Sequence, residues 1–183
     1  MPTEKLSTIA CEVLALLKQT GQRLVCAESC TAGLVSATLA GIPGASNSFC
    51  GSAVVYRNAT KSGWLGVPPA VLEDPTRGDV CEETAILLAQ GVLAMTPEAS
   101  VSVSVTGHLG PGSPPGLDGA VDIGWAVRDP TRSTPLIVLS QRVQLEEPAP
   151  VDAQDIASRV ARQTEATLRV LLYVREALRE LVP

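Results

Sequence analysis

Apolar residues recur every three or four positions in several stretches of the chain, which is the spacing of an amphipathic helix. Leu6, Ile9 and Val13 form the first such stripe, and Gly21 follows it as a helix-ending residue. A second stripe begins after Asp152, which is a suitable N-cap residue. The predicted helices cover residues 4–19, 31–40, a short segment that stops near Gly66, 81–95 and the segment that Asp152 caps.

Other stretches are short and apolar, or alternate between apolar and polar residues as a half-buried β-strand does. The predicted strands cover residues 23–27, 51–56, 100–105, 120–128 and 136–145. The last two are separated by a turn at residues 129–131, so we expect them to pair as an antiparallel hairpin near the C-terminus. This order of elements predicts an α/β fold with one mixed sheet and helices on both faces. No repeat divides the sequence, and residues 1–183 are expected to form a single domain.

Composition narrows the class of protein. Hydrophobic residues make up 45% of the chain and charged residues 18%, which is typical of a globular domain. A net charge of −5, without a basic block, argues against a nucleic-acid partner. The sequence has neither an apolar run of the roughly 18 residues needed to span a bilayer nor the basic and apolar regions of a signal peptide. We therefore expect a cytoplasmic protein with no membrane partner.

The cysteines and the single histidine bear on metals and catalysis. The five cysteines do not have zinc-site spacing, and we interpret them as small buried apolar residues. His108 is the only histidine, which excludes a multi-histidine metal site and also the usual serine–histidine triad unless His108 itself is the base. We predict no metal and no cofactor.

The turn at residues 27–33 is the first candidate site. Glu28, Ser29 and Thr31 follow a predicted buried strand and precede a predicted helix. The unpaired N–H groups and the positive dipole end of such a helix favour an anion or a developing oxyanion. The turn is therefore a candidate for substrate binding, although Ser29 and Thr31 are equally suited to capping the helix.

A hydroxyl nucleophile needs a base, and a lysine can serve where burial lowers its pKa from about 10.4. Lys61, which forms a pair with Tyr56 near a predicted strand end, is a candidate because its neighbours Ala59, Trp64 and Leu65 are partly apolar and few acids lie near it in the sequence. The alternative is a lysine in solvent on the surface of a helix.

A third candidate site is the long Gly/Pro loop that follows the strand at residues 100–105. The backbone N–H groups of Thr106, Gly107 and the loop beyond could face an oxyanion or a phosphate, or the loop could be purely structural. His108 could be a base, a ligand contact or a surface residue. Arg159 and Arg162 share a face of the last helix, where they could meet a phosphate or simply be solvated.

Four motifs occur in an order that matches a known family. They are residues 27–33 (AESCTAG), 43–46 (PGAS), 56–61 (YRNATK) with 65–67 (LGV), and 105–107 (VTG) with 110–111 (GP). Together they resemble the C-terminal domain of CinA, the competence/damage-inducible protein, which is the family of the nicotinamide-nucleotide amidohydrolases. The resemblance covers about residues 5–180 and does not extend to the N-terminal nucleotide-binding domain of longer CinA proteins.

The resemblance implies a three-layer α/β/α sandwich, often dimeric, so we expect a homodimer. It implies metal-independent hydrolysis of the carboxamide of nicotinamide mononucleotide to nicotinic acid mononucleotide and ammonia, with that nucleotide as the small-molecule partner. In this family a serine and a lysine form the catalytic pair, which would make Ser29 the nucleophile and Lys61 its base. Tyr56 would assist proton transfer or orient the lysine, and Ser46 and Thr106 would line the site, with Ser46 as the alternative nucleophile.

The chain departs from the family pattern at two places. Ala32 replaces a second glycine of the first motif, and residues 106–120 replace most of a Thr-Gly-Ile-Ala-Gly-Pro loop and its Lys-Pro-Val-Gly end. Because this loop is expected to help hold the substrate, substrate identity stays open. The expected substrate-binding residues are Glu28, Thr31, Ser46, Thr106, Gly107, His108 and Arg162. The alternatives are a non-catalytic nucleotide- or small-molecule-binding module and an amidase for a different amide.

Overall fold

The computed structural model describes residues 2–75, 78–129, 131 and 135–182, and their order of helices and strands follows the predicted one. The helices are α1 (Pro2–Thr20), α2 (Leu34–Ala40), α3 (Asn58–Leu65), α4 (Pro69–Leu72), α5 (Glu82–Met95) and α6 (Ile156–Arg179), with a 3-10 turn at Ala45–Asn47. The strands are β1 (Leu24–Glu28), β2 (Phe49–Val54), β3 (Val101–Gly107), β4 (Ala120–Arg128) and β5 (Pro135–Gln144).

The five strands form one mixed sheet in the order β2-β1-β3-β4-β5. β1 lies between β2 and β3 and is parallel to both, whereas β4 is antiparallel to β3 and to β5. The carboxyl ends of β1, β2 and β3 therefore meet at one edge of the sheet, together with the start of β4 and the end of β5. We call this edge the carboxyl edge; in α/β proteins it is where ligands bind.

Each face of the sheet carries its own apolar core. On one face, alternate residues such as Cys26, Val103 and Ile123 pack against α1, α2 and α6. On the other, Val25, Ala27 and Ala126 pack with residues of α3 and α5. The predicted α/β class, with helices on both faces and a C-terminal hairpin, is confirmed. Nearly all apolar burial comes from aliphatic side chains; Trp125 is the one aromatic residue among the buried side chains that the structure describes.

Several element boundaries differ from the predicted ones. α2 begins at Leu34 rather than at residue 31, because Ala32 and Gly33 have positive φ angles and cannot continue a right-handed helix. α6 is capped by Asp155, whose carboxylate accepts from the Ser158 N–H, so the predicted cap at Asp152 is wrong. α4 was not predicted, and the predicted turn at residues 129–131 includes Pro130, which lies outside the described residues.

Candidate active site

Glu28, the last residue of β1, is a fully buried carboxylate at the carboxyl edge, with 1% of its surface exposed. One of its oxygens accepts from the Thr31 hydroxyl (2.8 Å) and from the Gly33 and Val35 N–H groups (3.0 Å each). The other accepts from the Ser36 N–H (2.9 Å) and the Ser52 hydroxyl (3.1 Å).

These bonds change the interpretation of the first turn. The N–H groups at the start of α2 already face a carboxylate of the chain itself, so the predicted anion position at this helix end is filled by Glu28. Thr31 donates to that carboxylate, and neither Ser29 nor Thr31 is the N-cap residue, which is Gly33. Both side chains brace the turn that carries Ser29, and contact of Glu28 and Thr31 with a ligand stays a prediction.

Ser29 lies one position beyond β1 and extends its hydrogen bonding to β3. Its N–H donates to the Val105 carbonyl (3.0 Å), and this places Ser29 beside Thr106. Cys26 and Cys30 belong to the core under α1, α2 and α6, whereas Ala27 belongs to the opposite core. Strand alternation accordingly puts the Ser29 side chain on the face of the sheet that α3 and α5 cover.

Lys61 comes from α3 and enters the same face. Its side chain is 1% exposed, so the alternative of a solvated helix lysine is wrong. Its Nζ donates to the Asp79 carbonyl (2.9 Å) and to the Thr106 hydroxyl (3.4 Å), and lies 3.5 Å from the Asp79 carboxylate. Burial lowers the pKa of Lys61, and the charge of Asp79 opposes that shift only in part.

Thr106 and Asp79 connect the lysine to the sheet. Thr106 is fully buried, and its hydroxyl donates to the Asp79 carbonyl (2.8 Å) while it accepts from Lys61. Ser102 and Ser104, on the same face of β3, donate in the same manner to carbonyls of α5. Sequence reasoning missed Asp79, which lies in an irregular segment before α5 where no periodic pattern marks it.

A second cluster of polar side chains lies beside Thr106, on the neighbouring strands β4 and β5. Asp122 pairs with Thr106 in the β3–β4 register and is fully buried, and Arg142 binds both of its oxygens at 2.8 Å. His108 is half-buried, and burial lowers its pKa against the opposing charges of Asp79 and Asp122. Neither Asp122 nor Arg142 was predicted, because alternation in β4 places Asp122 on the face opposite to Val121 and Ile123 and gives no sign that this face is also covered.

Two of the predicted loop residues, Gly107 and His108, have defined contacts within the chain. The His108 N–H donates to the Ala120 carbonyl, and the His108 carbonyl accepts from the Gly119 N–H. Gly107 is required by packing, because a Cβ there would lie 2.7 Å from Val121 Cγ2 and 3.2 Å from Cys30 Sγ.

Tyr56 and Arg162 differ in burial and in their partners. Tyr56 is 55% exposed, and its hydroxyl accepts from Arg159 Nη2 (3.0 Å). Arg162 is buried and pairs with Asp118 (2.8 Å). Within the described part of the chain, no hydrogen bond links Lys61 Nζ to the side chain of Ser29 or Tyr56.

Within one chain, Ser46 lies apart from the other predicted site residues. It lies exposed in the 3-10 turn before β2, where the following Ser48 carbonyl accepts from the Leu24 N–H at the start of β1. From Leu24, β1 runs four residues to Glu28, which at 3.3 Å per residue separates the two edges by about 13 Å. Ser29 is therefore the serine that shares the carboxyl edge with Lys61.

In the described ranges no helix is long and apolar enough to cross a membrane. Among the same residues no group of three or more His, Cys, Asp and Glu side chains is arranged to hold a metal ion.

Comparisons with known proteins identify the family. The family model of the CinA C-terminal domain matches residues 6–161. A relative from Halalkalibacterium halodurans, whose name is that of a competence-damage inducible protein, is 40% identical over 157 residues, which are 84% of this chain and 37% of the relative. A CinA-like protein from Myxococcus xanthus is 46% identical over 103 residues, which are 56% of this chain and 24% of that protein. The chain thus spans about a quarter to a third of the curated relatives.

Solved structures show the same fold. The competence damage-inducible protein A from Klebsiella pneumoniae matches with a TM-score of 0.79 at 22% identity, covering 95% of this chain and 97% of that one. The competence/damage inducible protein from Agrobacterium tumefaciens matches with a TM-score of 0.73 at 27% identity, covering 93% and 95%. With its motifs, its fold and the matched family model in agreement, the chain belongs to the CinA family, through that family's C-terminal domain.

Proposed function

We propose that the chain is a metal-independent amidohydrolase that converts nicotinamide mononucleotide to nicotinic acid mononucleotide and ammonia. The observation that carries the proposal is the buried amine of Lys61, whose pKa is lowered and which reaches Thr106 on the face of the sheet that Ser29 shares. Burial makes the neutral, basic form of such a lysine more accessible than that of a solvated lysine. The chain's membership of the CinA family supports the choice of substrate, since the motif residues Ser29, Tyr56 and Lys61 are all present.

The reaction is an acyl transfer in two steps. Neutral Lys61 takes the hydroxyl proton of Ser29 as its oxygen attacks the carboxamide carbon, and the lysine then returns a proton to the departing ammonia. Water then attacks the resulting ester while Lys61 accepts a proton from it. Lys61 returns this proton to the Ser29 oxygen as the ester bond breaks, which frees the acid product and restores the serine hydroxyl. Thr106, beside which Ser29 extends the β1–β3 pairing, and the Asp79 carbonyl hold the amine. The first step requires Nζ to pass from these oxygens to the Ser29 hydroxyl.

The oxyanion has two candidate donors beside the serine. In the described part of the chain, the N–H groups of Cys30 and Thr31 donate to no carbonyl or carboxylate oxygen, whereas those of Gly33, Val35 and Ser36 are used by Glu28. Donors that immediately follow the nucleophile are suited to stabilising negative charge on the attacked carbonyl oxygen. We therefore assign the oxyanion to the Cys30–Thr31 backbone rather than to the start of α2.

Ammonia release from nicotinamide mononucleotide tests the proposal. We expect release by the natural chain and its loss in Ser29→Ala and in Lys61→Met, which keeps most of the lysine volume. Lys18→Met, on the exposed side of α1, is the matched control and should retain turnover. Ser46→Ala decides between the two serines. If Ser46→Ala loses ammonia release while Ser29→Ala retains it, the assignment of Ser29 as the nucleophile is contradicted.

A non-catalytic binding module is the second candidate. It is favoured by the contacts of Lys61, which run to Asp79 and Thr106 rather than to Ser29. Binding of nicotinamide mononucleotide without ammonia release would support it, and release from another amide alone would indicate a different substrate. The homodimer also remains a proposal, for which molar mass in solution is the test.

A further inference from the structure

Arg162 is an arginine enclosed by the loop that departs from the family pattern. Only 4% of its surface is exposed. Its Nη2 donates to the Asp118 carboxylate (2.8 Å) and its Nε donates to the Glu147 carbonyl (3.0 Å). Its third nitrogen, Nη1, is the one buried side-chain nitrogen or oxygen without a hydrogen-bond partner among the described residues. Leaving charged N–H groups buried and unpaired is costly, so such an atom calls for a ligand.

Arg159, one helical turn earlier on α6, lies beside it. Arg159 donates to the Tyr56 hydroxyl (3.0 Å) and to the Gly110 carbonyl, and both of these acceptors are neutral. In the described part of the chain Arg159 has no salt bridge. The pair of guanidinium groups therefore faces a single carboxylate, Asp118, and one positive charge is left without a counter-charge.

The two arginines meet at Gly110. Arg159 binds its carbonyl, and a Cβ on Gly110 would lie 3.6 Å from Arg162 Nη1 and 3.1 Å from Asp118 Oδ1. Gly110 and Gly119 both have positive φ, and a Cβ on Gly119 would lie 3.5 Å from Arg162 Nη2, so the loop backbone passes directly against the guanidinium.

We propose that Arg159 and Arg162 form a subsite for a phosphate monoester, so that the chain selects a nucleotide over the corresponding nucleoside. One oxygen of the dianion binds Arg162 Nη1, and its charge offsets the surplus positive charge of Arg159; guanidinium groups suit phosphate in charge and geometry. The assignment rests on the proposed function for the identity of the nucleotide, but not for the phosphate itself.

The position suits a substrate whose amide reaches Ser29. Gln163, next to Arg162, donates to the carbonyl of Cys30 (3.1 Å), the residue after the candidate nucleophile. Arg159 holds Tyr56, the residue that the resemblance places near the chemistry. A phosphate between the two arginines would therefore lie beside the turn that carries Ser29, because α6 contacts that turn through Gln163.

Calorimetry on the full chain tests the subsite without relying on turnover. The probes are nicotinamide mononucleotide, nicotinamide riboside, which lacks the phosphate, and inorganic phosphate, measured with Ser29→Ala to prevent hydrolysis. We expect the mononucleotide to bind at least tenfold more tightly than the riboside, and inorganic phosphate to compete with it. Arg159→Met and Arg162→Met should each remove most of that difference, while Arg179→Met, at the far end of α6, should keep it.

The outcomes separate this proposal from the amidohydrolase. Equal binding of mononucleotide and riboside, or a preference that survives Arg159→Met in a folded protein, would overturn the subsite even if ammonia is released. Conversely, a phosphate-dependent affinity that both variants abolish supports the subsite even if the natural chain releases no ammonia. Should Arg162→Met fail to fold, Arg159→Met decides, because Arg159 is only half-buried.

Discussion

The Nζ of Lys61 lies 3.4 Å from the hydroxyl of Thr106, and both groups donate to the same carbonyl oxygen, that of Asp79, at 2.9 and 2.8 Å. The buried amine is thus held mainly by neutral oxygens, with the Asp79 carboxylate more distant at 3.5 Å. Neutral oxygens stabilise an ammonium less than a close carboxylate would, and burial disfavours the charged form. The arrangement suits a lysine that acts as a base.

Removing the Thr106 hydroxyl should impair the orientation of this amine. We expect Thr106→Val to reduce kcat by about tenfold, the equivalent of about 1.4 kcal/mol in the barrier. Ser102→Ala is the matched control, since it also removes a buried hydroxyl that donates to a carbonyl on the α5 side but does not touch Lys61. Steady-state ammonia release by both variants is the measurement. Equal losses in both would mean that Thr106 matters only for packing.

Neutralising Asp79 should shift the pH profile. The Asp79 carboxylate raises the pKa of Lys61 against the larger effect of burial. In Asp79→Asn that opposition disappears, so the pKa of Lys61 falls further and the acid limb of kcat/KM moves to lower pH. Glu98→Gln, at the opposite end of β3, serves as control and should leave the limb in place. A limb that stays fixed or moves to higher pH in Asp79→Asn would contradict the role of Lys61.

The lowered pKa of Lys61 also predicts how stability depends on pH. Between the folded-state pKa and the unfolded value of about 10.4, the unfolded chain binds more protons than the folded chain, so stability rises with pH. The free energy of unfolding of the natural chain should therefore increase relative to that of Lys61→Met across this window. Urea unfolding at a series of pH values measures it, and a constant difference would show that Lys61 keeps its ordinary pKa.

Glu28 is expected to be a major contributor to stability. Its carboxylate accepts five hydrogen bonds, and a glutamine would turn an NH2 group toward some of those donors. Glu28→Gln should lower the free energy of unfolding by about 2–4 kcal/mol. The exposed Glu98→Gln should change it by less than about 0.5 kcal/mol. Urea denaturation of the two variants is the comparison, and similar small losses would refute the bracing role of Glu28.

Much of the fold follows from local patterns. The alternation in residues 120–128 predicted β4 with its observed bounds, and the Ser–Val alternation located β3. These patterns succeed because each strand buries one face against a fixed layer of helices. The lysine was identified as a candidate for the same reason, since the apolar neighbours of Lys61 indicate a helix that packs on the sheet.

The site depends on contacts between distant segments, which no local pattern encodes. Glu28 resembles a ligand-binding acid in sequence, yet its partners are N–H groups of the following turn and the hydroxyl of Ser52. Asp79 reaches Lys61 from a segment without regular structure, and Arg142 reaches Asp122 from the neighbouring strand. Likewise, the unpaired nitrogen of Arg162 is visible only once the loop has closed around it.

The most direct test of the catalytic account compares two titrations of one group. Nuclear magnetic resonance of the Lys61 side chain gives its pKa in the folded chain, and the acid limb of kcat/KM for ammonia release gives the pKa of the essential base. We predict that the two values coincide below the ordinary lysine value and that both shift in Asp79→Asn. A Lys61 that titrates at its ordinary value, or a rate that does not follow its titration, would contradict the account.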